Sequence, residues 1–245
     1  MPYIDRLSSL VSHFEIRTSL LDDPALANLL ITGNSASPQR LFLNLNSEAT
    51  HYSKIDVLAA IRINFGGQAN PVMDAMPEVI SVDLPQSMDL TAIARLIISE
   101  INPQRCGGQY ALDRLCEFLV VNLLRNQIEY GNTESGVLAG LAHPNLSTPI
   151  VAIHNEPGRV WRLDDLVGLS GMSRSLFMKE FHTVIGKSPM AYLKQWRMAL
   201  ARNALLKGER VKETARKFGY GSGDAFTRAF TNAYGLPPTR IQDTV

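Results

Sequence analysis

The strongest constraint in this 245-residue chain is a stretch that is used twice. Residues 161–189, WRLDDLVGLSGMSRSLFMKEFHTVIGKSP, return 49 positions later: Ser173 falls on Ser222, Phe177 on Phe226, Lys179 on Arg228, Phe181 on Phe230, Gly186 on Gly235 and Pro189 on Pro238. A repeat of this size makes each copy one supersecondary unit. Each predicts a helix, a short glycine-containing turn and a second helix, so this part of the chain is expected to be all-α. In the first copy Leu163, Leu166, Val167 and Leu169 recur at helical spacing, with Asp164 and Asp165 in the first turn, where carboxylates complement the helix dipole. That helix is expected to end near Ser170. Gly171-Met172-Ser173 supplies the turn, and Ser173 the cap of a second helix over about 174–183.

On that second helix Phe177 and Phe181 are four apart, share one face and point inward. Roughly opposite lie Ser175, Met178, Lys179 and His182; the same arithmetic in the second copy selects Asp224, Thr227, Arg228 and Thr231. One such face is equally an ordinary solvated surface, but two in register favour a shared task. Between the copies, MAYLKQWRMALARNALLKG places Tyr192, Leu193, Trp196, Leu200, Ala204 and Leu205 on one apolar stripe and predicts a single helix. About seventeen residues at 1.5 Å each span on the order of 25 Å, comparable with one turn of DNA at roughly 34 Å. Two modules held on such a rod could enter successive major grooves on one side of a duplex. Charge is distributed to match: from Arg159 onward there are 15 Lys and Arg against 7 Asp and Glu, a net of +8. The preceding residues carry 9 against 16, a net of −7. A basic domain gains affinity for phosphates by releasing their counterions.

The segment from about Ala142 to Arg240 resembles the DNA-binding domain of the AraC/XylS family of bacterial transcription regulators. The resemblance is carried by Gly171-Met172-Ser173-Arg174-Ser175, Phe177, Phe181, Gly186-Lys187-Ser188-Pro189, Tyr192-Leu193, Trp196-Arg197-Met198, Gly219-Tyr220, Ser222, Ala225-Phe226, Arg228-Ala229-Phe230, Gly235 and Pro238. It departs at the end, where Ile241-Gln242 replaces an aromatic-basic pair, a change expected to weaken the final packing. The resemblance implies a double helix-turn-helix unit in which Ser175, Met178 and Lys179 face bases in the first module, and Gly223, Asp224, Thr227 and Arg228 in the second. Arg174, at the helix start, is expected to contact phosphate. Arg228 can bind guanine bidentately and Lys179 can donate to guanine acceptors, while Met178 can pack on a thymine methyl and Asp224 can accept from a cytosine amino group. For either basic residue the alternative is a phosphate contact that positions without specifying.

The first half begins with an amphipathic stretch, Ile4, Leu7, Leu10 and Val11, followed by FEIRTSLLDDPALANLLITG, which has no clear pattern. Strand-like pieces follow, LFLNLN, KIDVLAAIRINF and EVISVDL, divided by Asn, Ser, Gly and Pro clusters, with residues 64–71 expected as a loop. DLTAIARLIISEI and QYALDRLCEFLVVNLLRNQIEY then predict two helices, the second carrying Leu112, Leu115, Leu119, Leu123 and Leu124 with Phe118 and Val120 alongside. This order resembles the cupin-like regulatory half of AraC regulators, in which a β-barrel senses an effector and helices behind it dimerise. The expected division is therefore an α+β cupin-like regulatory and dimerisation domain over 1–131, a linker over 132–144, and an all-α double helix-turn-helix domain over 145–245. Within the last, TPIVAIHNEP predicts a supporting helix on which His154 is expected to be capped or exposed.

Metal-binding cupins need histidines one apart with a carboxylate and a distant histidine. His13, His51, His143, His154 and His182 contain no such pair, so neither a metal nor another cofactor is expected. No motif assembles a nucleophile, base and oxyanion donors, and two cysteines are too few for the zinc-cysteine cluster of methyl-transfer repair proteins. Cys106 and Cys116 suit a reducing cytoplasm, with Cys116 expected as a small buried side chain. The chain shows no long apolar run and no basic-plus-apolar leader, and a cytoplasmic location is expected. The function expected is sequence-specific regulation of transcription on double-stranded DNA. A small-molecule effector, RNA polymerase and a second copy of the chain, docked through the helices at 89–130, are the further expected partners. The alternatives are an architectural DNA-binding protein without effector control, or a cupin-type enzyme fused to a DNA-binding domain.

Overall fold

In a computed structural model of the chain, the described residues are 5–12, 16–34, 37–45, 56–65, 73, 76, 78–101, 105–130 and 135–244, with backbone alone at 130 and 242–244. They belong to two compact units, Glu15–Gly131 on one side and Met1–Phe14 with Asn132–Val245 on the other.

The first unit is built on an antiparallel sheet of β1 (Arg17–Leu20), β2 (Leu29–Asn34), β3 (Ser37–Asn44), β4 (Val57–Asn64) and β5 (Val79–Asp83), in the order β1-β4-β2-β3-β5. The register sets Leu29 opposite both Leu43 and Ile61, and Leu43 opposite Ile80. Side chains alternate along a strand, so these four share one face with Ile31, Leu41 and Ile63, and all seven are buried. The other face holds a smaller cluster of Ala27, Leu30 and Ala60, flanked by Leu21, Phe42 and Val57. A bulge between Thr32 and Gly33 tightens the β2–β3 hairpin. There a Cβ on Gly33 would lie 2.3 Å from the Ser37 carbonyl oxygen, so the close approach admits only glycine.

Two helices complete this unit. α2 (Met88–Glu100), capped by Ser87, packs on β3 and β4; α3 (Gly108–Tyr130) packs on α2 and β1. Asp113 of α3 is buried, and its carboxylate accepts from the Thr18 amide at 2.8 Å, the Thr18 hydroxyl at 2.7 Å and the Gln109 side chain at 3.2 Å. Three donors satisfy a group that would otherwise be costly to bury, and they tie edge strand β1 to the helix. Burial, with the Asp113 charge adding, pushes the Cys116 thiol up to about 12, so it stays protonated at neutral pH. The expected strands are present. Two more, β1 and β2, lie in the stretch without a pattern, because Leu29-Leu30-Ile31-Thr32 is buried on both faces and β1 is an edge with only Thr18 buried. Most of the loop expected over 64–71 lies outside the described residues.

In the second unit, α1 (Ser8–Val11) is held at its start by Asp5, which accepts from the Leu7 and Ser8 amides, and Leu10 is fully buried. α1 packs on α5 (Ser147–Asn155). The first unit ends at Gly131, where the boundary was expected, but it does not begin at residue 1: the first residues group with the C-terminal part, because Leu7 and Leu10 find their apolar cover there. The expected linker over 132–144 is corrected as well. α4 (Val137–Ala142) lies within it, has Val137, Leu138, Ala139 and Leu141 buried, and packs on α5 and on α7 (Arg174–Ile185).

The remaining helices are α6 (Leu163–Ser170), α8 (Pro189–Leu206), α9 (Val211–Lys217) and α10 (Gly223–Tyr234), followed by a 3-10 segment, Pro238–Thr244. α8 is the shared rod: its 18 residues span about 27 Å. Near its start Tyr192 and Trp196 are buried against the first module, and towards its end Ala201, Ala204 and Leu205 are buried where α9 and α10 pack. His154 is fully buried rather than capped or exposed. Its ring stacks on Trp196 at 4.1 Å, and Nε2 lies 2.6 Å from the Tyr192 hydroxyl. Ile241 is also buried and the closing segment packs on α8, so the departure from the aromatic-basic pair does not leave this end unpacked.

Candidate nucleic-acid interface

The two repeat copies fold into superposable local frames. α7 and α10 are each 12 residues long and begin 49 positions apart. Ser173 accepts from the Leu176 amide at 3.4 Å, and Ser222 accepts from the Ala225 amide at 3.2 Å, so each helix is capped by its own serine. Each ends on a left-handed glycine, Gly186 at φ 80° and Gly235 at φ 73°. Inside, Phe177 and Phe181 meet at 5.5 Å between ring centroids, and Phe226 and Phe230 at 5.7 Å; all four are 0% exposed.

Anchoring both phenylalanines of each pair inward leaves the opposite helix face outward. Ser175, Lys179 and His182 are exposed and Met178 is half-buried; in α10, Gly223, Asp224 and Arg228 are exposed, while Thr227 and Thr231 are half-buried. Among the described residues nothing engages Lys179 or Arg228 in an ion pair or hydrogen bond, so their cationic groups are free to meet an incoming acceptor. Arg174 differs: its Nη1 lies 2.8 Å from Asp164 on α6. That pair is solvent-exposed at both ends and therefore weak enough to exchange for another anion. Gly223 has open space where a Cβ would stand, and Asp224 lies in the first turn of α10, where the helix dipole favours its charge.

Sequence reading passed over Arg162 and Arg210, which precede α6 and α9 at their N-cap positions and are exposed. The only signal available was their place just ahead of an apolar-periodic run. Among the described residues no group of three or more His, Cys, Asp or Glu side chains is arranged to hold a metal ion, and no helix is long and apolar enough to cross a membrane.

Two families match separate stretches of the chain. Residues 166–244 match the family described as a helix-turn-helix domain, and residues 35–129 the family described as a cupin. A putative AraC-like transcription regulator of Streptomyces lividans is 31% identical over 180 residues, which is 71% of this chain and 59% of that protein. The HTH-type transcriptional regulator AlkR of Acinetobacter baylyi is 30% identical over 174 residues, 69% of this chain and 57% of its own length. A solved DNA-binding transcriptional dual regulator from Escherichia coli K-12 aligns at 29% identity over 42% of this chain and 93% of that one, with a TM-score of 0.38. The chain spans about three fifths of the length of the curated relatives it matches. A cupin-type unit followed by a double helix-turn-helix unit defines the class. In both units the chain is similar to AraC-like transcription regulators.

Proposed function

We propose that this protein regulates transcription by binding a specific DNA sequence, with α7 and α10 lying in two successive major grooves. The observation that carries this reading is the pairing of two equal helices, each pinned by two buried phenylalanines, that present Lys179 and Arg228 at matching positions on one rigid unit. Arg228 reads guanine, Lys179 donates to a base acceptor, Met178 and Thr227 pack on base edges, Ser175 and Asp224 accept or donate at the groove floor, and the Gly223 backbone approaches closely. Arg174, Arg162 and Arg210 contact phosphates and set the register. Binding is measured by fluorescence anisotropy on selected and scrambled duplexes at several salt concentrations. Preference for the selected duplex by roughly a thousandfold or more, with affinity for both falling as salt rises, is expected of a regulator. Equal affinity for the two duplexes would instead describe an architectural protein.

The cupin unit, in this reading, binds a small-molecule effector and holds a homodimer in the cytoplasm, and the DNA-bound dimer contacts RNA polymerase. The dimer contact uses the outward side of α2 and α3. Leu112, Leu119, Leu123 and Leu124 are buried within the unit, whereas Met88, Leu96, Tyr110 and Phe118 are exposed. Sedimentation of the full chain should show a concentration-dependent dimer that Leu96→Glu with Phe118→Glu dissociates. An unchanged sedimentation profile would remove this face from the account.

A further inference from the structure

The two modules touch at Gly158 and Gly219, outside both recognition helices, and the contact admits no side chain. A Cβ on Gly158, in the loop after α5, would lie 2.2 Å from the Lys217 carbonyl oxygen at the end of α9. A Cβ on Gly219 would lie 2.7 Å from the Gly158 carbonyl oxygen and 2.9 Å from Nη2 of Arg197. Gly219 is also left-handed, at φ 76°, a conformation that side chains rarely adopt. The backbone leading into the first module and the turn of the second are thus in direct contact.

Arg197, on the rod α8, holds this junction. Its Nε donates to the Pro157 carbonyl at 2.6 Å and its Nη2 to the Arg159 carbonyl at 2.7 Å, while the guanidinium faces Gly219. From there each side leads to a reading helix. Tyr220, next to Gly219, meets Phe226 of α10 edge-on at 5.4 Å. On the other side Trp161 donates to the Glu156 carbonyl at 2.9 Å, lies under the Arg159 guanidinium at 4.2 Å, and is followed at once by α6, which packs on α7. A rod alone fixes the separation of two bodies better than their rotation about its axis. A second contact, off the axis, removes that freedom, and a planar guanidinium with donors in two fixed directions suits it as a lysine ammonium does not.

We propose that Arg197, locked between Gly158 and Gly219, is a positioning residue that sets the angular phase between α7 and α10 and so the spacing of the two boxes the protein accepts. This rests on the two-groove reading above. The test uses the full chain on duplexes carrying both boxes at the selected spacing, both boxes one base pair closer or farther, or one box with the other scrambled. One base pair turns the second box by about 34°, so the wild-type protein should lose about tenfold or more in affinity on either shifted duplex. Arg197→Met should lose about tenfold at the selected spacing, keep its single-box affinity within about twofold, and separate the three spacings by less than about threefold. Arg197→Lys should fall between, and thermal melting of each variant shows that it is folded. A folded Arg197→Met protein that discriminates spacing as the wild type does overturns the proposal, as does one that loses single-box and two-box affinity equally. If the wild type binds one box as tightly as two, the two-groove reading itself fails, an outcome read without any variant.

Discussion

The two helix-turn-helix modules share a frame and differ in almost everything presented to the outside. Superposed by the 49-residue shift, the buried phenylalanines, the capping serines and the terminal glycines coincide. On the outer face, however, Arg174 stands against Gly223, Ser175 against Asp224, Met178 against Thr227, Lys179 against Arg228 and His182 against Thr231. Packing fixes the first set, since a change there leaves a cavity or an uncapped helix. Apart from the exposed Arg174–Asp164 pair, packing among the described residues does not fix the second. On the proposed two-groove reading, a molecule built this way recognises two unlike boxes, and the difference between its faces makes the binding site asymmetric. Support differs too. The first module is backed by α4 and α5, with α1 packed on α5, while the 3-10 segment Pro238–Thr244 packs on both α8 and α10.

The most drastic way to probe the shared frame is to empty it. Phe177→Ala and Phe226→Ala should each destabilise the C-terminal unit by about 3–5 kcal/mol, by an equal amount within error, as read from denaturant unfolding. A marked inequality would mean that the two frames are alike in shape only. The unequal support is tested next by Leu10→Ala in the intact chain, which should cost about 2–4 kcal/mol and speed hydrogen exchange in α5 ahead of α10. Uniform acceleration, or none, would detach α1 from the first module. The outer faces come third. Arg228→Ala should relax preference at one position of one box at a cost of about 1–3 kcal/mol, and Lys179→Ala should do the same in the other box with a smaller loss, having no bidentate geometry. An equal fall on all sequences would make both residues phosphate contacts. Smallest are the caps: Ser173→Ala and Ser222→Ala should each cost about 1 kcal/mol in thermal or denaturant unfolding.

How much of this was legible in the sequence follows the same divide. The frame was, because Phe177, Phe181 and their repeats state a helical period directly, and Ser173 and Gly186 mark its ends. The second helix, which the 49-residue shift puts at about 223–232, begins at Gly223 as expected and runs two residues further, to Tyr234. The first runs to Ile185, two residues past the expected end, since Gly186 and not Thr183 stops it. Two strands were not legible: β2 is buried on both faces and loses its alternation, and β1 has too few inward positions to show one. Long-range partners were hidden for a different reason. Leu10, His154 and Arg197 draw their roles from residues about forty or more positions away, and no local pattern encodes whether an apolar turn, an imidazole or a guanidinium will find them. His154 in particular follows the apolar run Ile150-Val151-Ala152-Ile153 in sequence, which does not say which face the imidazole takes, and is a stacked core residue in space.

Selection of bound duplexes from a random pool, run in parallel on the wild-type chain and on the Lys179→Ala and Arg228→Ala variants, bears on the central claim most directly. The account predicts two short, unlike boxes with centres roughly 34 Å apart, one altered only by the first substitution and the other only by the second. A single enriched box, no enrichment, or both boxes altered by each substitution would contradict it.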